Sequence, residues 1–201
     1  MSTLTSAPSS LPPAFLARVE HAYLRPPRAY HNWSHIQAVL GDVARVAAGP
    51  GWRQPTEVTL AALFHDAVYV AGRKDNEVKS AELARASIEA ELPTRGIDCH
   101  RVMQLIELTA RHGSHSVALD SDAKLFLDCD LAILGAPATD FDAYHRAIAD
   151  EFAPHVNALL YRLGRRRFLT RLLEAPRIFL SDFFHERLDS AARENLRRAL
   201  R

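Results

Sequence analysis

The chain has 201 residues, of which 48% are hydrophobic and 24% charged, and its formal net charge at pH 7 is +1. This composition is typical of one globular domain with enough apolar side chains for a core, and it excludes a disordered or fibrous protein. No segment approaches the ~18 apolar residues of a membrane span, and two cysteines are too few for a disulfide framework or a cysteine-rich zinc site.

The first 13 residues are rich in serine, threonine and proline and lack the basic and apolar regions of a secretory signal. We therefore predict a flexible arm over residues 1–13, one domain over 14–201, and a cytoplasmic location. From residue 15 onward apolar residues recur at intervals of three and four, whereas alternating runs of strand length are almost absent. The predicted fold is all-α, a single compact bundle of several helices.

Prolines and glycines mark the ends of the predicted helices. These cover about residues 14–24, 34–49, 56–70, 75–91, 98–112, 121–134 and 140–153, with two or three more over about 155–200. Thr139 and Asp142 are predicted to cap the helix that begins at 140. The helix over 56–70 is apolar nearly all the way round after its first turn, so we place it at the centre of the domain.

Two polar residues, His65 and Asp66, stand side by side in this central helix. Burial of a lone carboxylate there would destabilise the fold by on the order of several kcal/mol, so a cationic group or a metal ion must compensate its charge. The nearest cations in sequence, Arg53, Arg73 and Lys74, lie outside the helix. A salt bridge to another part of the fold and a bound metal ion are the two interpretations.

A second apolar helix carries two acids, Asp128 and Asp130. At about 100° per residue, Asp130 shares a stripe with Leu127, Leu131 and Leu134, whereas Asp128 lies about 200° away. Asp130 is therefore predicted to point inward and Asp128 to lie at the rim.

Two further histidines, His31 and His35, lie four residues apart where another helix begins, and His35 heads an apolar run. Each taken singly is typical of a surface or capping residue. His35 together with His65, Asp66 and Asp130 would form a set of two nitrogen and two oxygen ligands for a divalent cation, with positions left for water and substrate.

The order of these residues resembles the H...HD...D signature of the HD superfamily of metal-dependent phosphohydrolases. The surrounding segments resemble a subgroup of predicted HD phosphohydrolases, and the similarity spans roughly residues 15–200. The matching segments read YHNWSHI at 30–36, FHDAVY at 64–69, NEVKSA at 76–81 and DCDL at 128–131, with Gly135.

This resemblance implies hydrolysis of a phosphoester or phosphoanhydride bond, in a nucleotide or nucleotide-like small molecule, by a metal-activated water. It assigns the metal to His35, His65, Asp66 and Asp130, with His31 and Asp128 as the alternatives to the first and last ligands. Manganese is the first choice, and magnesium, iron, cobalt, nickel or zinc are alternatives. Asp66 and Glu77 are the expected catalytic residues, although Glu77 equally suits the N-terminal turn of a helix.

Substrate contacts are expected from Arg28, His31, Asn76, Arg111 and His112, with Arg73 and Lys74 as further cations for phosphate. Each has a structural alternative: Arg28 as a solvated loop residue, Asn76 as a helix cap, and His112 as the cation that ends a helix.

Two other functions remain open. The chain has Ala149 where the subgroup is expected to have arginine, which favours a metal- and nucleotide-binding sensor with little turnover. Residues 161–201 hold 11 arginines against 5 acids, which favours a nucleic-acid surface. Because these arginines are interleaved with apolar residues at helical spacing, the solvated face of a helix is the simpler interpretation. We expect no membrane partner, and a homodimer is compatible with the sequence.

Overall fold

A computed structural model describes residues 11–24, 26–112 and 118–201. Within these ranges the protein is entirely helical, which confirms the predicted all-α class. The helices are α1 (Pro13–Ala22), α2 (Trp33–Ala47), α3 (Pro55–Phe64), α4 (Asn76–Glu91), α5 (Cys99–Thr109), α6 (Ser121–Leu131), a 3₁₀ helix (Ala132–Gly135), α7 (Ala138–Phe152), α8 (Ala158–Glu174) and α9 (Asp182–Ala199). None of these described helices is both long enough and apolar enough to cross a bilayer.

The described residues divide into two compact units, one up to Ala110 and one from Arg111 onward. Residues 1–10 of the predicted arm and the glycine predicted to stop a helix at 113 lie outside the described residues. Leu11 is buried, and α1 begins at Pro13. Proline is favourable in the first turn of a helix, because an N–H group at that position would have no partner within the helix.

In the first unit, α3 is the central element, as predicted. Every residue from Val58 to Phe64 is buried, and α3 packs against α2, α4 and α5. The prediction that α3 continues to residue 70 is wrong, because the helix ends at Phe64 and His65 is its C-cap. His65 and Asp66 therefore lie in the turn that follows the helix. The predicted helix over 98–112 also ends early, at Thr109.

In the second unit, the 3₁₀ helix contacts α6, α7 and α9. Gly135 makes this packing feasible, since a Cβ atom there would lie 2.6 Å from Leu188 Cβ. The prediction that Thr139 and Asp142 cap a helix is wrong. α7 begins at Ala138 after Pro137, with no side-chain cap, and Asp142 instead pairs with Arg198 at 2.8 Å.

Candidate metal centre

His65 is held by the last turn of α3. Its Nδ1 lies 3.0 Å from the carbonyl oxygen of Ala62. Because a carbonyl oxygen only accepts hydrogen bonds, this contact places a proton on Nδ1 and a lone pair on Nε2. The ring is 99% buried and its Nε2 is thereby prepared to act as a ligand or an acceptor.

His35 comes to the same point from the first turn of α2. Asn32 caps this helix, its Oδ1 accepting hydrogen bonds from Ser34 N at 2.9 Å and His35 N at 3.4 Å. The cap fixes where the helix begins, and His35 is among the buried residues of α2. The two rings meet with Nε2 atoms 3.2 Å apart.

Asp66 closes a triangle with the two imidazoles. Its Oδ2 lies 3.1 Å from His65 Nε2 and 3.4 Å from His35 Nε2. Ligand atoms about 2.1 Å from a metal ion and about 90–109° apart would be about 3.0–3.4 Å from one another. The three observed separations fall in that range, so His35, His65 and Asp66 could hold a metal ion.

The carboxyl of Asp66 favours its ionised form despite its burial. Burial by itself raises the pKa of Asp66, but the charges that His65 and His31 carry when protonated, and the hydrogen bonds that His35 and His65 then donate, outweigh this effect and hold the pKa well below its usual range. A group made of one carboxylate and two neutral imidazoles would carry a single negative charge, which suits a divalent cation.

The backbone after Asp66 is fastened by two side chains of α4. Ser80 Oγ accepts a hydrogen bond from Val68 N at 3.0 Å and donates one to Val68 O at 3.2 Å. Asn76 does the same for Val70, with Oδ1 accepting at 3.1 Å and Nδ2 donating at 3.0 Å. These contacts satisfy backbone groups outside any helix, which explains why α3 stops at Phe64.

Asn76 is therefore not the cap of α4, and its contact to substrate stays a prediction. The N-cap of α4 is Asp75, and Asn76 is only 4% exposed with both polar atoms of its amide bonded to Val70. The alternative that Asn76 caps its helix is wrong, because the side chain turns back to the 68–70 segment. No separate role for Ser80 was predicted, although its i, i+4 spacing from Asn76 places both residues on one helix face.

Arg28 holds the turn from the other side. Its Nη1 donates to the carbonyl oxygens of His31 at 3.1 Å and Asp66 at 2.6 Å, and its Nη2 donates to Ala67 O at 3.1 Å. The guanidinium also lies 5.9 Å from the ring centroid of Tyr69. The interpretation of Arg28 as a solvated loop residue is wrong, and these contacts make it a positioning residue; a contact to phosphate stays a prediction.

His31 lies beside the triangle. Its ring stacks on Tyr69 with centroids 4.0 Å apart and meets the His35 ring edge-on at 5.9 Å. The structure thus brings His35 into the group of three, with His31 contributing positive charge near Asp66. The part played by Tyr69 could have been suspected only from its place in the FHDAVY segment.

The remaining predicted site residue of the first unit is Glu77. It lies in the first turn of α4, next to the buried Asn76, and is partly exposed. That position is favourable for an acid because of the helix dipole. Its role in proton transfer stays a prediction.

The other predicted site residues belong to the second unit. Asp130 Oδ2 lies 2.7 Å from His112 Nε2, and Arg111 beside it is exposed. His112 stands beyond α5, which ends at Thr109, so the alternative that it ends this helix is wrong. Asp130 as a metal ligand and Arg111 and His112 as substrate contacts stay predictions.

The predicted place of Asp128 at the rim of α6 is wrong. Asp128 is completely buried, whereas the side chain of Asp130 is 14% exposed. Asp128 accepts hydrogen bonds from Leu180 N, Ser181 N and Ser181 Oγ at 2.6–2.7 Å. The prediction from the helical stripe did not include the segment before α9. The backbone N–H groups of this segment are outside any helix, and they need an acceptor from another part of the unit.

Comparison of the chain with protein-family models, with curated proteins and with solved structures found no match.

Proposed function

We propose that the protein is a metal-dependent phosphohydrolase that cleaves a phosphoester or phosphoanhydride bond of a nucleotide or nucleotide-like small molecule. The observation that carries the proposal is the triangle of His35 Nε2, His65 Nε2 and Asp66 Oδ2, with all three sides between 3.1 and 3.4 Å. The choice of reaction rests on the resemblance of the sequence to HD phosphohydrolases.

The tautomer of His65 supports a cation at the centre of the triangle. Ala62 O accepts a hydrogen bond from Nδ1 of His65. In the neutral ring the lone pair is therefore on Nε2, which lies 3.2 Å from Nε2 of His35. Two lone pairs and a carboxylate oxygen at this distance repel one another unless a positive charge lies between them. Either a metal ion or a proton on one of the two histidines supplies that charge, and the experiment below separates the two cases.

The donor set favours a borderline divalent metal. Imidazole nitrogens suit manganese, iron, cobalt, nickel and zinc, and the carboxylate is shared by all of these and by magnesium. We take manganese as the first choice. Three protein ligands leave coordination positions for a water molecule and for the substrate.

The chemistry of the group is that of a Lewis acid, because a bound divalent metal lowers the pKa of water and polarises a phosphoryl oxygen. The protein residues hold and orient this chemistry. His35 and His65 bind through Nε2, Asp66 supplies negative charge, and Arg28 fixes the Asp66 backbone through its carbonyl oxygen. The most exposed side chain of the triangle is Asp66, at 12%, against 4% and 1% for the histidines, so substrate approaches from the side of Asp66.

Proton transfer and phosphate binding fall to residues outside the triangle. Glu77 is the proposed proton carrier or water-positioning residue, and Arg73 and Lys74 of the same unit are the proposed phosphate contacts. Replacement of Glu77 by glutamine should lower turnover without reducing metal content, because glutamine keeps the shape of the side chain and loses only its ionisable carboxyl.

The test combines elemental analysis with a phosphate-release screen. The purified protein is loaded with manganese and assayed on mononucleotides, dinucleotides and alarmones. Asp66→Asn should lose the metal and all turnover, because an amide is a poorer ligand than a carboxylate. Glu82→Gln is the control, since Glu82 is an exposed acid of α4 in the same unit and is outside the proposed site.

The outcomes are distinct. Asp66→Asn with full metal and full turnover would contradict the assignment. Absence of any metal uptake by the unchanged protein would make the triangle a hydrogen-bonded group with a proton between the two histidines. Metal uptake and saturable nucleotide binding without release of phosphate would instead favour the sensor.

A further inference from the structure

The second unit contains a cavity that the metal-binding triangle does not use. It has a volume of about 460 Å³ and is bounded by α7, α8 and the C-terminal end of α9. Cavities of a few hundred cubic ångströms are the size that binds small organic molecules. Its walls include His145 of α7, Tyr161 and Arg165 of α8, and Leu200.

Three side chains of this cavity carry buried polar atoms that lack a hydrogen-bond partner among the described residues. They are Nε and Nη2 of Arg165, the hydroxyl of Tyr161 and Nδ1 of His145. An unsatisfied buried polar group costs about 1–3 kcal/mol, and folded proteins contain few of them. Four such atoms in the wall of one cavity indicate a ligand that accepts hydrogen bonds.

The charge of the cavity indicates that this ligand is an anion. Arg162, Arg165, Arg166 and Arg201 line it, and no described residue of the lining is acidic. Of the acids near the cavity, Asp142 is paired with Arg198, and Asp150, whose charge acts on Tyr161, is an exposed residue outside the lining. A cationic cavity with low-dielectric walls concentrates anions.

Arg165 is held in place before any ligand binds. Its guanidinium carbon lies 5.0 Å from the ring centroid of Tyr144 and 5.4 Å from that of Phe168. Aromatic contacts of this kind fix the planar guanidinium and lower the entropy that binding would cost. Its Nε and Nη2 form the edge that binds two oxygens of one oxyanion side by side.

The number of donors distinguishes among oxyanions. Arg165 offers two, and Tyr161 and His145 offer one each. A carboxylate has only two oxygens, whereas a phosphate monoester has three terminal oxygens and a second negative charge. The four donors therefore favour the phosphate monoester. The apolar part of the lining, which includes Leu159, Leu163 and Leu169, suits an organic body, and it gives a reason for the exposure of Leu159 and Leu163 on α8.

We propose that this cavity of the second unit binds an organic phosphate monoester. Arg165, Tyr161 and His145 bind the phosphate, and the leucines contact the organic group. Burial and the charge of Arg165 lower the pKa of His145, partly offset by Asp142, and a bound phosphate would oppose that shift. The proposal does not depend on metal binding by His35, His65 and Asp66.

The test uses the full-length protein treated with a chelator and titrated with phenyl phosphate in a calorimeter. Binding should be saturable with one site per chain, and phenol should not bind, because it lacks the phosphate. Tyr161→Phe removes only the hydroxyl and keeps the ring next to Phe152, and it should weaken binding about two- to tenfold. Arg165→Met should weaken binding by more than about tenfold.

Arg167→Met is the matched control, because Arg167 is an exposed residue of α8 outside the cavity and its loss changes the net charge equally. It should leave the affinity within about twofold of the unchanged protein. A second readout is the ring signal of His145 in an NMR pH titration, whose midpoint should rise when phenyl phosphate is bound.

Absence of saturable binding to the chelated protein would overturn the proposal. So would equal affinity in the unchanged protein, Tyr161→Phe and Arg165→Met, or an equal loss in Arg165→Met and Arg167→Met. If the affinity survives these changes but is lost in His65→Ala, phenyl phosphate binds at the triangle instead, and the proposal is likewise refuted.

Discussion

Replacement of Ser80 by alanine tests whether α4 positions the metal-binding turn. Ser80 is completely buried, and its hydroxyl makes two hydrogen bonds with the backbone of Val68, two residues after Asp66. Loss of these bonds leaves a backbone N–H and C=O without their partner, while the rest of the core is unchanged. The backbone beyond Asp66 should then move more freely.

The magnitude follows from the two bonds. Each contributes about 0.5–1.5 kcal/mol net, and Val68 is partly exposed, so water replaces some of the loss. Against this, alanine is better than serine in a helix by about 0.5 kcal/mol. Ser87→Ala provides the correction, because Ser87 lies on the same helix and is partly exposed. Relative to Ser87→Ala, Ser80→Ala should lower the free energy of unfolding by about 1–2 kcal/mol.

Two measurements are needed. Urea denaturation gives the free energy of unfolding, and calorimetric titration with Mn²⁺ gives the metal affinity. Changes to groups that orient metal ligands reduce affinity by about 10–100-fold, and we expect about tenfold for Ser80→Ala. A variant that is destabilised as predicted but binds Mn²⁺ as tightly as Ser87→Ala would refute the positioning role of α4.

Three further predictions concern the other contacts of the fold. Arg28→Lys should weaken Mn²⁺ binding in the same titration, because one ammonium cannot replace the three bonds to backbone carbonyl oxygens that include Asp66 O, and unchanged affinity would contradict this. Asp128→Ala should lower the free energy of unfolding by about 2–3 kcal/mol, since three partly buried donors lose their acceptor. Ser181→Ala should cost only about 1 kcal/mol, and equal losses in urea denaturation would contradict the prediction. Although burial raises the pKa of Asp189, hydrogen bonds from Arg193 and Ile178 N lower it below its usual value, so its stabilisation is present at neutral pH and is lost as pH falls through the range below about 4. Asp189→Asn should therefore be less stable than the unchanged protein at pH 7 and approach it at pH 3, and a constant difference would disprove the linkage.

Local patterns predicted the helices well because their signals are local. Apolar spacing and proline positions placed the helical segments and identified the apolar residues before His65 as the central helix. His65 and Asp66 were likewise singled out because a buried carboxylate in an apolar segment needs compensation. The residues that meet at the triangle follow from this need, together with the histidine pair at the start of α2.

The end of α3 and the burial of Asp128 could not be predicted in this way. Both depend on hydrogen bonds between residues distant in sequence: Ser80 with Val68, and Asp128 with Ser181 at a separation of 53 residues. A helical projection treats each helix as isolated, so it cannot tell which face meets a segment that needs an acceptor. The backbone contacts of Arg28 and Asn76 could not be predicted for the same reason, since main-chain atoms carry no sequence signal.

The sequence alone thus determined the all-helical class and the types of side chain able to bind a cation, because periodicity and the cost of burying charge are properties of short segments. Only the tertiary structure decided that His35 Nε2, His65 Nε2 and Asp66 Oδ2 lie within 3.4 Å of one another, and that Arg165, Tyr161 and His145 line one cavity. Such distances depend on how the helices pack and on which backbone groups the loops leave to be satisfied, and no local pattern records either.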